Sequence, residues 1–134
     1  MSQSLIRAAL ETALNGMTPA LATAFENNAF TPPASTTPYQ MAFMLFAAPE
    51  NPDMGRGITR ERGIFQVTLC YPLQAGDGAA RARADLLRAT FYRSATFTIG
   101  AVKVIMERTP DVGAGSVSGD RWVVPVRCRF FADI

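Results

Sequence analysis

The stretch from Arg60 to Phe91 constrains this chain more than any other. It joins the best strand signal in the sequence to the best helix signal through a Pro- and Gly-marked turn. Ile64 to Tyr71 alternates Phe65, Val67, Leu69 and Tyr71 against Gln66, Thr68 and Cys70, the period of a strand with one buried face. Pro72 halts that strand, Gly76 and Gly78 free the backbone to turn, and Asp77 is placed to cap the following helix.

That helix, Ala79 to Tyr92, has an unusual wheel. Arg81, Asp85, Arg88 and Tyr92 occupy a stripe only about 60° wide, and alanines, leucines and Phe91 spread over most of the rest. A helix on the outside of a lone domain needs an apolar stripe of roughly 100°, so this one has apolar surface left over. Arg83 falls in the middle of the apolar arc and needs an acceptor. Two arrangements fit: it reaches water or pairs with Glu61 or Glu107 of its own chain, or it pairs across a subunit boundary.

The other elements read as what this unit packs against. Ser4 to Asn15 is amphipathic, with Leu5, Ile6, Ala9, Leu10, Ala13 and Leu14 on one half and Arg7, Glu11 and Asn15 on the other. Pro19, Pro32, Pro33 and Pro38 keep residues 17–38 from long regular structure, leaving room for a short strand near Ala22 to Glu26. Tyr39 to Ala48 is apolar on both alternating sets, which predicts a central strand or one covered by a second subunit. Pro49 to Gly63 is a polar loop long enough to predict a hairpin tip or a contact loop.

Thr96 to Thr109 holds two short strands or one bulged strand, broken at Gly100-Ala101. Gly113 to Gly119 reads as small, polar and flexible. Arg121 to Phe131 alternates again, and Pro125 within it predicts an edge or a bulge. The order helix, short strand, strand, strand, helix, strand, strand predicts a single α+β domain over residues 1–134, a mainly antiparallel sheet covered by two helices. At 134 residues, 49% of them hydrophobic, such a domain can bury a core without staples.

Chemistry is mostly excluded. With no histidine, neither a Ser-His-Asp nor a Cys-His site can be built. The two cysteines, Cys70 and Cys128, lack metal-ligand spacing and read as reduced core residues. Gly55-Arg56-Gly57 and Gly76-Asp77-Gly78 complete no phosphate-loop pattern, so no cofactor and no catalytic residue is expected. Thirteen basic residues against eleven acidic give +2, with acids interleaved among the arginines, so no general affinity for nucleic acid follows. Arg127 and Arg129 are the one candidate basic strip, and two arginines supply too few phosphate contacts alone. Arg7 and Glu11 break the first apolar segment, so no secretion signal is expected; no apolar run approaches the roughly 20 residues of a membrane span.

The segments Asn51-Pro-Asp-Met-Gly, Arg60-Glu-Arg-Gly-Ile-Phe-Gln-Val, Tyr71-Pro-Leu, Gly76-Asp-Gly-Ala-Ala-Arg-Ala-Arg-Ala and Val124-Pro-Val-Arg-Cys-Arg-Phe-Phe-Ala resemble a phage family. Its members look like the tail terminators of long-tailed, lambda-type bacteriophages, and the likeness covers about residues 39–134. The resemblance implies an α+β, non-enzymatic structural protein of the virion tail, assembled in the bacterial host cytoplasm. It implies a homo-oligomer, a hexameric ring that caps the tail tube, stops its polymerisation and offers a head-attachment surface. The tail tube protein and the head-tail connector are then the partners, with no membrane. With the tube end as template, isolated protein need not be oligomeric. Candidate subunit contacts are Arg83, Leu87, Phe91, Tyr39 and Met41; candidate tail or head contacts are the loop residues Met54, Arg56 and Arg60. The alternatives are another head-tail connector or minor tail component and, from a different class, a small nucleic-acid-binding module using Arg127 and Arg129.

Overall fold

A computed structural model of the chain describes residues 2–17, 21–26, 30–34, 36–51, 59–74 and 76–133. In order these form α1 (Ser2–Asn15), β1 (Ala22–Phe25), β2 (Tyr39–Phe46), β3 (Arg60–Pro72), α2 (Gly78–Thr90), β4 (Thr96–Ile99), β5 (Val102–Met106), β6 (Asp111–Val112), β7 (Ser116–Ser118) and β8 (Arg121–Asp133). The fold is α+β with a mixed, mostly antiparallel, curled sheet, as the sequence predicts.

The sheet is built on β3 and β8, two 13-residue strands paired antiparallel along their whole length. Strand order is β1-β2-β3-β8-β5-β4, and β6 and β7 also pair with β8. Among the described residues only β1 and β2 run parallel. The far edge of β8 is therefore met in turn by β5 at Phe130 and Phe131, by β6 at Val126 and Arg127, and by β7 from Arg121 to Val123.

This placement corrects the expectation drawn from Pro125. Strand β8 is central, not an edge. A residue in an antiparallel ladder directs its N–H and C=O to the same side. The Pro125 carbonyl accepts from the Gly113 amide at 2.8 Å, so the missing donor faces the gap between β6 and β7, where no ladder bond is required. The segment Gly113 to Gly119 is corrected too: it contains β7, and Gly113 and Gly115 serve close approach to Pro125 and Trp122. A Cβ on Gly115 would lie 2.1 Å from Cζ2 of Trp122. Gly115→Ala should cost about 1–3 kcal/mol by overpacking, measurable as a lowered urea midpoint.

Register assigns the two sheet faces. Phe65, Val67 and Leu69 stand opposite Cys128, Val126 and Val124, and all six are buried in one cluster with Val102, Val104 and Met106 of β5. Ile6, Leu10 and Leu14 of α1 and Ala80, Ala84 and Leu87 of α2 join the same cluster, so both helices cover this one face. Helix α1 lies over β4 and β5, and α2 over β3 and β8. The outward face carries Tyr39, Met41, Phe43 and Leu45 of β2 beside Ile64 of β3, and no helix covers it.

Glu50 and Arg60 exchange backbone hydrogen bonds of 2.8 and 2.7 Å, and residues 60–63 belong to β3, so the expected Pro49 to Gly63 loop is shortened at its far end; residues 52–58 lie outside the described residues. Both cysteines are free and buried, and register turns them to opposite faces, Cys70 outward and Cys128 inward. Burial pushes the Cys128 thiol up to about 12, which leaves it inert near neutral pH.

Candidate functional site

Helix α2 presents three separate faces. Ala80, Ala84, Leu87 and Phe91 point into the core, and Phe91 packs 5.8 Å from Phe65 and 5.3 Å from Phe97. Arg81, Asp85 and Arg88 form the polar stripe. Ala79, Ala82, Leu86 and Ala89 recur at i+3 and i+4 spacing on the remaining side, all exposed, with Leu86 39% accessible. The surplus apolar surface expected of this helix is therefore present, but on this third stripe. Leu87 and Phe91, expected at a subunit contact, are fully buried because the sheet takes the face they occupy.

Arg83, the third candidate contact on this helix, lies on the side that faces its own chain. It is 3% exposed, on the core side of α2 and close to the Tyr71 phenol. Desolvation pulls its pKa down, and the Tyr71 phenol acts in the other direction. Glu107 bonds Arg62 instead, at 2.9 Å. Glu61 is buried, and its Oε2 has no hydrogen-bond partner among the described residues.

The N-terminus of α2 is fastened by a route the sequence does not show. Asp77 makes no side-chain cap to the helix backbone. Its Oδ2 accepts from Arg81 Nε at 2.6 Å and its Oδ1 from Trp122 Nε1 at 2.7 Å, tying α2 to β8. These two donors hold its carboxyl below the ordinary 3.8, Arg81 contributing most. Asp133 is held low in the same way by Arg60, at 2.7 and 3.0 Å. Both folded pKa values are depressed, so both carboxylates stabilise the fold above the unfolded value. That contribution is lost as pH falls from about 4 through the lower folded values. Urea stability should stay flat from pH 7 to about pH 4 and fall below it, and Asp77→Asn should shallow that acid limb.

On the outward sheet face, Tyr39 and Met41 are half-buried and Leu45 is 54% exposed. The Tyr39 end is closed by the chain itself. Arg121, 4% exposed, sends its guanidinium to the carbonyls of Pro33 and Ala34, each at 2.9 Å, and of Thr37, and lies 4.8 Å over the Tyr39 ring. Phe30 packs 5.4 Å from the same ring. The Met41 to Leu45 end stays open. Of the expected contact loop, Met54 and Arg56 lie outside the described residues, and Arg60 is held by Asp133 and stacked 4.9 Å over Phe131.

Sequence reasoning missed Arg121, whose partners lie more than 80 residues away in the chain. No group of three or more potential metal ligands occurs among the described residues. What the geometry offers is contact surface: an exposed apolar stripe on α2 and a half-open apolar sheet face on the opposite side.

No curated protein matches this chain. A solved protein chain aligns over 100% of this chain and 97% of its own length, at 30% identity and a TM-score of 0.81, so the fold is one already seen in another protein. The family pattern described as phage tail terminator protein matches residues 5–130. The match takes in both helices and nearly the whole sheet, and it makes this chain a member of the phage tail terminator proteins, structural and non-enzymatic components of the virion tail that act at the tail tube.

Proposed function

We propose that the protein closes the tail tube as a symmetric ring of six copies, stops tube polymerisation and presents the surface to which the head attaches. The observation that carries this reading is the pair of unlike apolar patches on opposite sides of the sheet, in a chain of the terminator family. A head-to-tail ring uses two different patches on each subunit, since each copy gives one and receives the other. The α2 stripe of Ala79, Ala82, Leu86 and Ala89 is flat and lets a neighbour approach closely. The outward set of β2, from Tyr39 and Met41 to Leu45, is the second patch. Arg83, Leu87 and Phe91 support the first from beneath without touching a neighbour. Arg60, Arg56 and Met54 are the residues between β2 and β3 in sequence, or at the start of β3, that would meet the tube or the connector.

Leu86→Glu tests the assignment. The side chain is exposed, so monomer stability should change by no more than about 0.5 kcal/mol. The variant should nevertheless fail to complement tail assembly, and electron microscopy should show overlong or headless tails, as in the complete absence of the protein. Tails of normal length that carry heads without the protein would refute the terminator role. Normal tails with Leu86→Glu would remove α2 from the interface and leave the role standing.

A further inference from the structure

We propose that the arginines along the outer edge of β8 form a binding trough for the phosphate backbone of double-stranded DNA. The inference does not rest on ring assembly. Arg88 of α2, Arg108, and Arg127 and Arg129 of β8 line one cavity of about 270 Å³ together with Thr109, Pro110 and Asp111. Arg108 continues into a second cavity with Arg93. Arg108 and Arg129 also border an apolar cavity lined by Leu45, Phe46 and Ile64, which is not part of the trough. Residues distant in sequence are thus gathered on one side, and the two-arginine strip legible in the sequence becomes a trough of five.

These arginines differ from five others in the chain. Arg7, Arg60, Arg62, Arg81 and Arg121 each lie within 4.0 Å of a carboxylate. Arg88, Arg93, Arg108, Arg127 and Arg129 join no ion pair among the described residues. The trough contains two carboxylates, Asp111 and Glu107, and Glu107 is already bonded to Arg62. Arg88 is also pre-positioned: its Nε donates to the Pro110 carbonyl at 3.0 Å, which fixes the stem and leaves the outer nitrogens of the guanidinium to a ligand. Concentrated, unneutralised guanidiniums in a concave site favour a ligand that carries several negative charges in sequence.

The lining selects among polyanions. An acidic protein segment would be expected to anchor an apolar side chain in a pocket, yet the 270 Å³ cavity and the cavity beside Arg93 offer only arginine, threonine, proline and carboxylate. Neither is lined by an aromatic ring, so single-stranded bases have no stacking platform. The backbone of a duplex needs neither, and its recognition carries no sequence preference.

Fluorescence anisotropy of a labelled duplex with the full chain tests the trough. With four arginines engaged, the logarithm of affinity should fall against the logarithm of salt with a slope of about −3 to −4. Arg129→Glu and Arg127→Glu should each weaken binding roughly tenfold or more, with unchanged thermal melting. Lys103→Glu, an exposed position on β5 with the same change in net charge, should alter it less than about twofold. No binding at about 50 mM salt would overturn the proposal. So would an equal loss with Lys103→Glu, tighter binding of the matching single strand, or displacement of the duplex by an equal charge of poly-glutamate, which would mark the trough as a surface for an acidic protein.

Discussion

Replacing Arg121 with alanine should destabilise the protein by about 3 kcal/mol, because three backbone carbonyls lose a charged donor and the Tyr39 ring loses the cation above it. The loss should also be local. Pro33, Ala34 and Thr37 are held to β8 through this one side chain, so protease cleavage between Thr31 and Thr37 should appear in Arg121→Ala at temperatures where the parent resists. Urea denaturation gives the first quantity and limited proteolysis the second. Stability within about 0.5 kcal/mol of the parent would mean that water replaces the guanidinium without cost. The same variant bears on assembly, since releasing the segment uncovers the Tyr39 end of the patch assigned to a neighbouring subunit.

Arg83→Glu should be more damaging, at about 3–5 kcal/mol. The sequence alone suggests that this change would weaken association and leave the monomer folded. The structure reverses that expectation: the side chain is 3% exposed beside Tyr71, and a carboxylate there would be desolvated in a site built around a cation. Loss of helical circular dichroism at reduced urea concentration, in step with any loss of assembly, is the expected result. A variant with parental stability but no assembly would restore Arg83 to the subunit boundary. Together with Leu86→Glu the pair separates the buried and exposed faces of a single helix.

How much was legible follows from the range of the forces involved. The alternation of Ile64 to Tyr71 and the 3.6-residue period of α1 and α2 are local, so the identity of these elements and the α+β class can be read from neighbours a few positions apart. The excess apolar surface of α2 is legible for the same reason. Its direction is not, because a wheel of alanines and leucines does not say which arc the sheet will take; Phe91 packs on Phe65 and Phe97 and Leu87 joins the core, while Leu86 stays outside. The Asp77 cap failed because its carboxylate found stronger donors in Arg81 and in Trp122, 45 residues away.

By itself the sequence determined a helix- and strand-bearing chain without histidine, with a core large enough to fold and a helix too apolar for solitary use. Only the tertiary structure decided that β8 is the central strand in spite of Pro125, that Arg83 and Arg121 are interior, and that five arginines share one trough. The physical reason is that periodicity records what each residue demands of its surroundings, whereas the partner that meets the demand is chosen by chain crossings over distances that no local pattern encodes.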